Sequence, residues 1–189
     1  MTYYADLDDC LYHRGDLHAD WWHTPLKSVG WLDPPEAFPT GPTPPGLLES
    51  LRAMLEVVAA EFESFRGLHN CGWCREEGVA DTLLPGSHVN LIIPGDACVY
   101  AAPAGIEHYL TQHGYLPPAE FVAAVEACPT YGSPAYFDAL INANDGHPAP
   151  YEARATRWAR WAADRARTDL TREQRRARAF FEPVRPPRE

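Results

Sequence analysis

The chain has 189 residues, of which 46% are hydrophobic, 12% aromatic and 22% charged, a composition that supports a real core and excludes a disordered polypeptide. Its net charge of −10 is unevenly placed: residues 1–150 carry 5 Lys and Arg against 20 Asp and Glu, a net of −15, while residues 151–189 carry 11 Arg against 6 acids, a net of +5. The acidic body would repel phosphates, which counts against a nucleic-acid groove on it, and no run of 18 apolar residues is present to form a membrane-spanning helix.

Residues 1–45 are rich in Trp, Tyr, His, Asp and Pro without a sustained period, so an irregular arm is expected, pinned to the core by aromatics such as Trp21, Trp22 and Trp31. The first sixteen residues are acidic where a secretory leader needs a basic start and an apolar centre, and a cytoplasmic protein is expected. His13, His18 and His23 lie five apart with Asp16 and Asp20 between them. Lone histidines in aromatic-rich segments more often serve as hydrogen-bonded structural residues than as ligands, so a second metal centre there is the weaker reading.

From Leu47 the apolar positions Leu47, Leu51, Met54, Leu55, Val58, Phe62 and Phe65 recur every three or four residues, which is one stripe of an amphipathic helix. Thr43-Pro44 is read as its start and Gly67 as its end. Three short runs follow, VADTLL, HVNLII and ACVYAA, separated by Pro85-Gly86-Ser87 and Pro94-Gly95-Asp96, and they predict an antiparallel meander of two or three strands. Pro103 then opens a helix that Gly114 stops; further helices begin near Pro118 and at Ser133-Pro134. In the basic tail, Tyr151, Ala155, Trp158 and Trp161 fall on a helical spacing, and Thr171 with Gln174 forms a capping box for a last helix. The expected fold is α+β: a small antiparallel sheet with about five helices, organised as a metal-binding domain over residues 1–150 and an Arg-rich helical extension over residues 151–189. That extension is read as docking on the acidic body or pairing two copies into a homodimer.

The densest cluster of soft ligands is Phe65-Arg-Gly-Leu-His-Asn-Cys-Gly-Trp-Cys74. Five cysteines are an odd number, and in a reducing compartment a Cys-x-x-Cys pair is more often a metal or redox site than a disulfide; Cys10, Cys98 and Cys128 are expected as buried or free thiols. Cys71 and Cys74 supply two thiolates from one turn, and since no second Cys-x-x-Cys exists, histidines must complete a tetrahedral Zn site. His69 is nearest in sequence and His108, on the helix after the meander, is the best distant donor; His88 and His113 are the alternatives. Glu107 beside His108 is a weak candidate for a general base should the metal keep a water, because adjacent helix residues point about 100° apart. A dithiol oxidoreductase is a third reading, disfavoured because such a pair normally follows a strand and opens a helix, whereas this one follows a long helix. The chain has no nucleophile elbow, P-loop or dinucleotide fingerprint.

The phrases MTYYADL at the start, VGWLD at 29–33, FRGLHNCGWC at 65–74, YAAPAGIEHYLTQHGYLPPAEFVAAV at 100–125 and YFDAL at 136–140 together resemble an uncharacterised family of small bacterial proteins defined only as a domain of unknown function. The resemblance covers most of residues 1–141 and implies a shared site at His69, Cys71, Cys74 and His108, while the arm between Tyr12 and Pro25 and the basic tail depart from it. It implies no activity. Two functional readings stand: a zinc protein whose metal is structural, beside an aromatic pocket open to a small-molecule ligand, and a small metalloenzyme that activates water on a polar or amino-acid-like substrate.

Overall fold

In a computed structural model of the chain, residues 3–10, 23–59, 70–79, 84 and 89–147 are described. The centre is a hairpin. Strands β2 (Asn90–Pro94) and β3 (Val99–Pro103) run antiparallel, with Asn90 opposite Pro103 and Pro94 opposite Val99, and the turn is closed by Gly95 N donating to Cys98 O at 2.9 Å. This is the hairpin that the second and third apolar runs predicted. The third strand, β1 (Leu26–Ser28), comes from the arm and lies parallel to β3, so the sheet has the order β1-β3-β2 and is mixed, not purely antiparallel. The first apolar run, residues 79–84, lies largely outside the described residues.

The sheet alternates faces as a pleated backbone must. Leu91 and Ile93 of β2 with Tyr100 and Ala102 of β3 point into one core, and Ile92 with Val99 and Ala101 into the other. Helices α1 (Leu47–Ala59), α3 (Ile106–Gln112) and α4 (Ala119–Ala127) fill the first core through Leu47, Leu51, Met54, Ile106, Tyr109, Phe121 and Val125. Helix α5 (Pro134–Ala143) covers the second through Tyr136, Phe137, Leu140 and Ala143. With the short α2 (Gly72–Glu76), five helices and three strands are present among the described residues, which makes the fold α+β.

Helix boundaries follow the local chemistry. Ser133 caps α5 by accepting from Tyr136 N at 3.2 Å, with Pro134 in the first turn, and Pro118 precedes α4. Helix α1 starts at Leu47, three residues past Pro44, because Gly46 takes a left-handed φ of 77° that breaks the chain direction there. The end expected at Gly67 lies outside the described residues, as does the whole extension over 151–189. Trp31 does pin the arm: it is buried, and its indole Nε1 donates to Ala101 O at 2.8 Å on the central strand. Trp21 and Trp22 lie outside the described residues. No described helix is long and apolar enough to cross a membrane.

Candidate metal centre

The Cys-x-x-Cys segment is a helix start. Cys71 is the N-cap of α2, in extended conformation, and its sulfur accepts from Cys74 N at 3.5 Å; both thiols are buried. The position after Cys71 is closed to any side chain, since a Cβ on Gly72 would lie 2.4 Å from Cδ of Pro34. Gly72 therefore lets the loop lie flat against the arm. Facing this loop is α3, which carries His108 in its first turn and ends at His113, whose φ of −116° and ψ of 2° have left the helical region; Gly114 then reverses the chain with a φ of 60°.

Four donor atoms converge. Cys71 Sγ lies 3.2 Å from His113 Nε2, Cys74 Sγ lies 3.4 Å from both His108 Nε2 and His113 Nε2, and the two Nε2 atoms are 3.2 Å apart. All four lie within 4.8 Å of one another. A regular tetrahedron around zinc, with bonds of about 2.3 Å to sulfur and 2.05 Å to nitrogen, has N···N edges of about 3.3 Å and N···S edges of about 3.6 Å. The observed edges match a tetrahedron of that size. Hydrogen bonding alone does not account for them: one imidazole nitrogen offers a single in-plane lone pair or a single N–H, yet His113 Nε2 faces two sulfurs and another nitrogen at contact distance. One cation at the centre satisfies all four donors together.

The electrostatics agree. Burial, then the hydrogen bond and charge of Cys71 and the charge of Glu77, pushes the Cys74 thiol up to about 11, so a neighbouring cation is needed to ionise it at neutral pH. Burial, then the neighbouring His113, lowers the pKa of His108, which keeps its imidazole neutral and ready to donate a lone pair. Behind the cluster, Tyr109 is fully buried and its hydroxyl donates to Leu32 O at 3.2 Å, which fixes the helix carrying both histidines against the arm.

Of the residues singled out in the sequence, Cys71, Cys74 and His108 come together, and the fourth donor in the structure is His113. His69 and His88 lie outside the described residues, as do His13 and His18. His23 is elsewhere: its ring stacks on His147 with centroids 3.6 Å apart, and its backbone N donates to Asn144 Oδ1 at 2.9 Å. Glu107 accepts from Arg52 Nε at 2.7 Å in an ion pair joining α1 to α3, and it is not among the four converging donors. Cys71 opens α2, as the first cysteine of a dithiol oxidoreductase does, so in this respect the pair does not differ from such a site. What opposes that reading is the pair of imidazole nitrogens set against the sulfurs.

The model of a protein family described as a domain of unknown function, DUF7919, matches residues 2–126, about two thirds of the chain. All four donors fall inside the match, and α5 and the basic extension fall outside it. The chain belongs to this family. No curated protein and no solved structure matches it.

Proposed function

We propose that this member of the DUF7919 family is a zinc protein in which Cys71, Cys74, His108 and His113 hold one Zn ion in a structural site. The observation that carries the reading is the convergence of four donor atoms, with three nitrogen–sulfur distances and one nitrogen–nitrogen distance of 3.2 to 3.4 Å and all four atoms within 4.8 Å of one another. Mixed thiolate and imidazole donors in tetrahedral array suit Zn, a d10 ion with no geometric preference of its own. An iron–sulfur cluster with two Cys and two His would divide the donors between two irons, whereas here sulfurs and nitrogens share one centre. Four protein donors complete the shell, which is the mark of a structural site, and the ion would clamp the start of α2 to the end of α3 where the fold has loops in place of core.

A second reading rests on one observation. Both imidazoles are only half-buried, so the histidine side of the centre borders solvent, from which a water could reach a fifth, exchangeable position. That would make the protein a small metalloenzyme acting on a polar or amino-acid-like substrate. Cobalt substitution separates the two, since four-coordinate Co(II) absorbs visible light far more strongly than the five-coordinate ion. The structural reading expects about one Zn per chain by elemental analysis and thiols at Cys71 and Cys74 that resist alkylation until a chelator is added. Metal-free protein with both thiols freely alkylated would sink both.

A further inference from the structure

A second site lies beside the metal loop, whose Trp73 packs against Phe38. A cavity of about 380 Å³ is lined by Tyr3, Leu32, Phe38, Leu116 and Pro118, with Asp6 also in its lining. Its two sides are fixed to each other: Leu116 N donates to Pro39 O at 2.8 Å and Gly41 N to Gly114 O at 2.9 Å. A preformed cavity of this size, near the small end of ligand pockets, takes a molecule of about amino-acid dimensions.

The chemistry of Asp6 chooses the ligand. Asp6 is half-buried, and its oxygens accept from Gly30 N at 2.9 Å and from the Tyr115 hydroxyl at 2.8 Å, both neutral donors. Among the described residues no basic side chain pairs with it: Lys27 bonds Asp9 and Arg52 bonds Glu107. A carboxylate held by two fixed neutral donors keeps unused lone pairs and an uncompensated charge, and it shares its cavity with the rings of Tyr3 and Phe38. Aromatic faces beside a carboxylate form a receptor for a cation carried on an apolar body.

We infer that this cavity binds a small organic cation, an ammonium on an apolar stem, with Asp6 as its counter-ion and Tyr3 and Phe38 as its walls. The surrounding charge supports this. Burial first, and then the charges of Glu36, Asp6 and Asp8, raise the pKa of the Tyr3 phenol, so the Tyr3 side of the cavity lies in negative potential. The inference does not depend on the metal.

The test uses the full chain, labelled with nitrogen-15 and titrated with phenethylamine, with 2-phenylethanol and 3-phenylpropionate as neutral and anionic probes of similar shape. Saturable shifts at the amides of Gly30, Phe38 and Leu116 are expected with the amine, with binding of the alcohol weaker by about tenfold and of the anion weaker still. Asp6→Asn should lose about tenfold in amine affinity, and Tyr3→Ser, a change at an exposed side chain that leaves the core intact, should lose severalfold. Equal binding of amine and alcohol, or no saturable shift at these amides, overturns the inference. The probe series on the wild-type chain decides the matter even if Asp6→Asn does not fold.

Discussion

Trp73, the residue just before Cys74, stands edge-on to Phe38 with ring centroids 5.0 Å apart and planes at 81°. It meets Tyr109 in the same way at 5.9 Å. The five-residue helix that carries Cys74 therefore also backs a wall of the cavity and packs on the helix of the two histidines. A chelator that strips the ion should be felt well beyond the four donors. If the ion contributes on the order of 4 kcal/mol, the melting temperature should fall by about 10 °C, with the emission of Trp73 shifting to the red as the loop loosens. Calorimetry with and without chelator measures the first and tryptophan fluorescence, with a Trp73→Phe control, the second. Metal release at unchanged melting temperature would remove the structural role and favour the exchangeable site.

The fourth donor gives a sharper comparison. His113→Ala and His108→Ala each remove one corner of the tetrahedron and should lower zinc affinity by at least about a hundredfold, a loss of about 3 kcal/mol of metal binding. His69→Ala should leave stoichiometry and affinity unchanged, since His113 already completes the set. Competition with a chromogenic chelator reads all three variants. Loss of zinc in His69→Ala together with its retention in His113→Ala would reverse the assignment.

Why His113 was hard to read from sequence follows from helix geometry. Residues five apart on a continuous α-helix project about 140° from each other, so His108 and His113 appear to face different ways. The helix stops at Gln112 and His113 sits in a non-helical conformation with a φ of −116°, so the count of 100° per residue fails at its side chain, and its ring lies beside that of His108. A glycine directly after a histidine was the available signal. Proximity in sequence favoured His69 instead. What was legible had local causes: the Leu47, Leu51, Met54 stripe, the β2–β3 hairpin with its Pro-Gly turn, the Ser133-Pro134 cap, and the Cys-x-x-Cys pair itself. The parallel pairing of β1 was not legible, because three residues in a proline-rich arm show no usable period and their partner Val99 lies more than seventy positions away.

Asp6 gives a dependence on pH whose sign is fixed by its surroundings. Burial raises its pKa above 3.8, while the bonds from Gly30 and Tyr115 oppose the rise only in part. The folded chain thus holds this proton more tightly than the unfolded one. Its contribution to stability is fully present below pH 3.8 and is lost as pH rises through the folded value. Asp6→Asn has no such proton to lose. The stability of wild type relative to this variant should therefore fall as pH rises from about 3.5 toward neutrality, by denaturant melts run with chelator throughout so that zinc release does not enter the comparison. A difference that is flat across this range, or that grows with pH, would contradict the assignment of a penalised carboxylate in the cavity lining.

Gly72, the first of the two residues between the cysteines, leaves no room for a side chain. A methyl group at Gly72 would sit 2.4 Å from Cδ and 2.6 Å from Cγ of Pro34, and 3.1 Å from Oδ1 of Asp33. The proline ring is rigid, so the contact cannot be relieved by a change of rotamer, and either the 33–35 segment or the first turn of α2 must move. Overpacking of this kind costs about 1 to 3 kcal/mol. Because Cys71 is the N-cap of the same turn, the displacement also pulls one sulfur from the tetrahedron. Gly72→Ala should therefore lose zinc affinity and melting temperature together, while Gly78→Ala, at a left-handed glycine after the same helix with open space around it, should cost stability through its φ of 77° and leave zinc affinity near wild type. Zinc competition and thermal melts on the two variants check this: an unchanged metal affinity in Gly72→Ala would mean that the closeness of Pro34 to the loop does not govern where the sulfurs point.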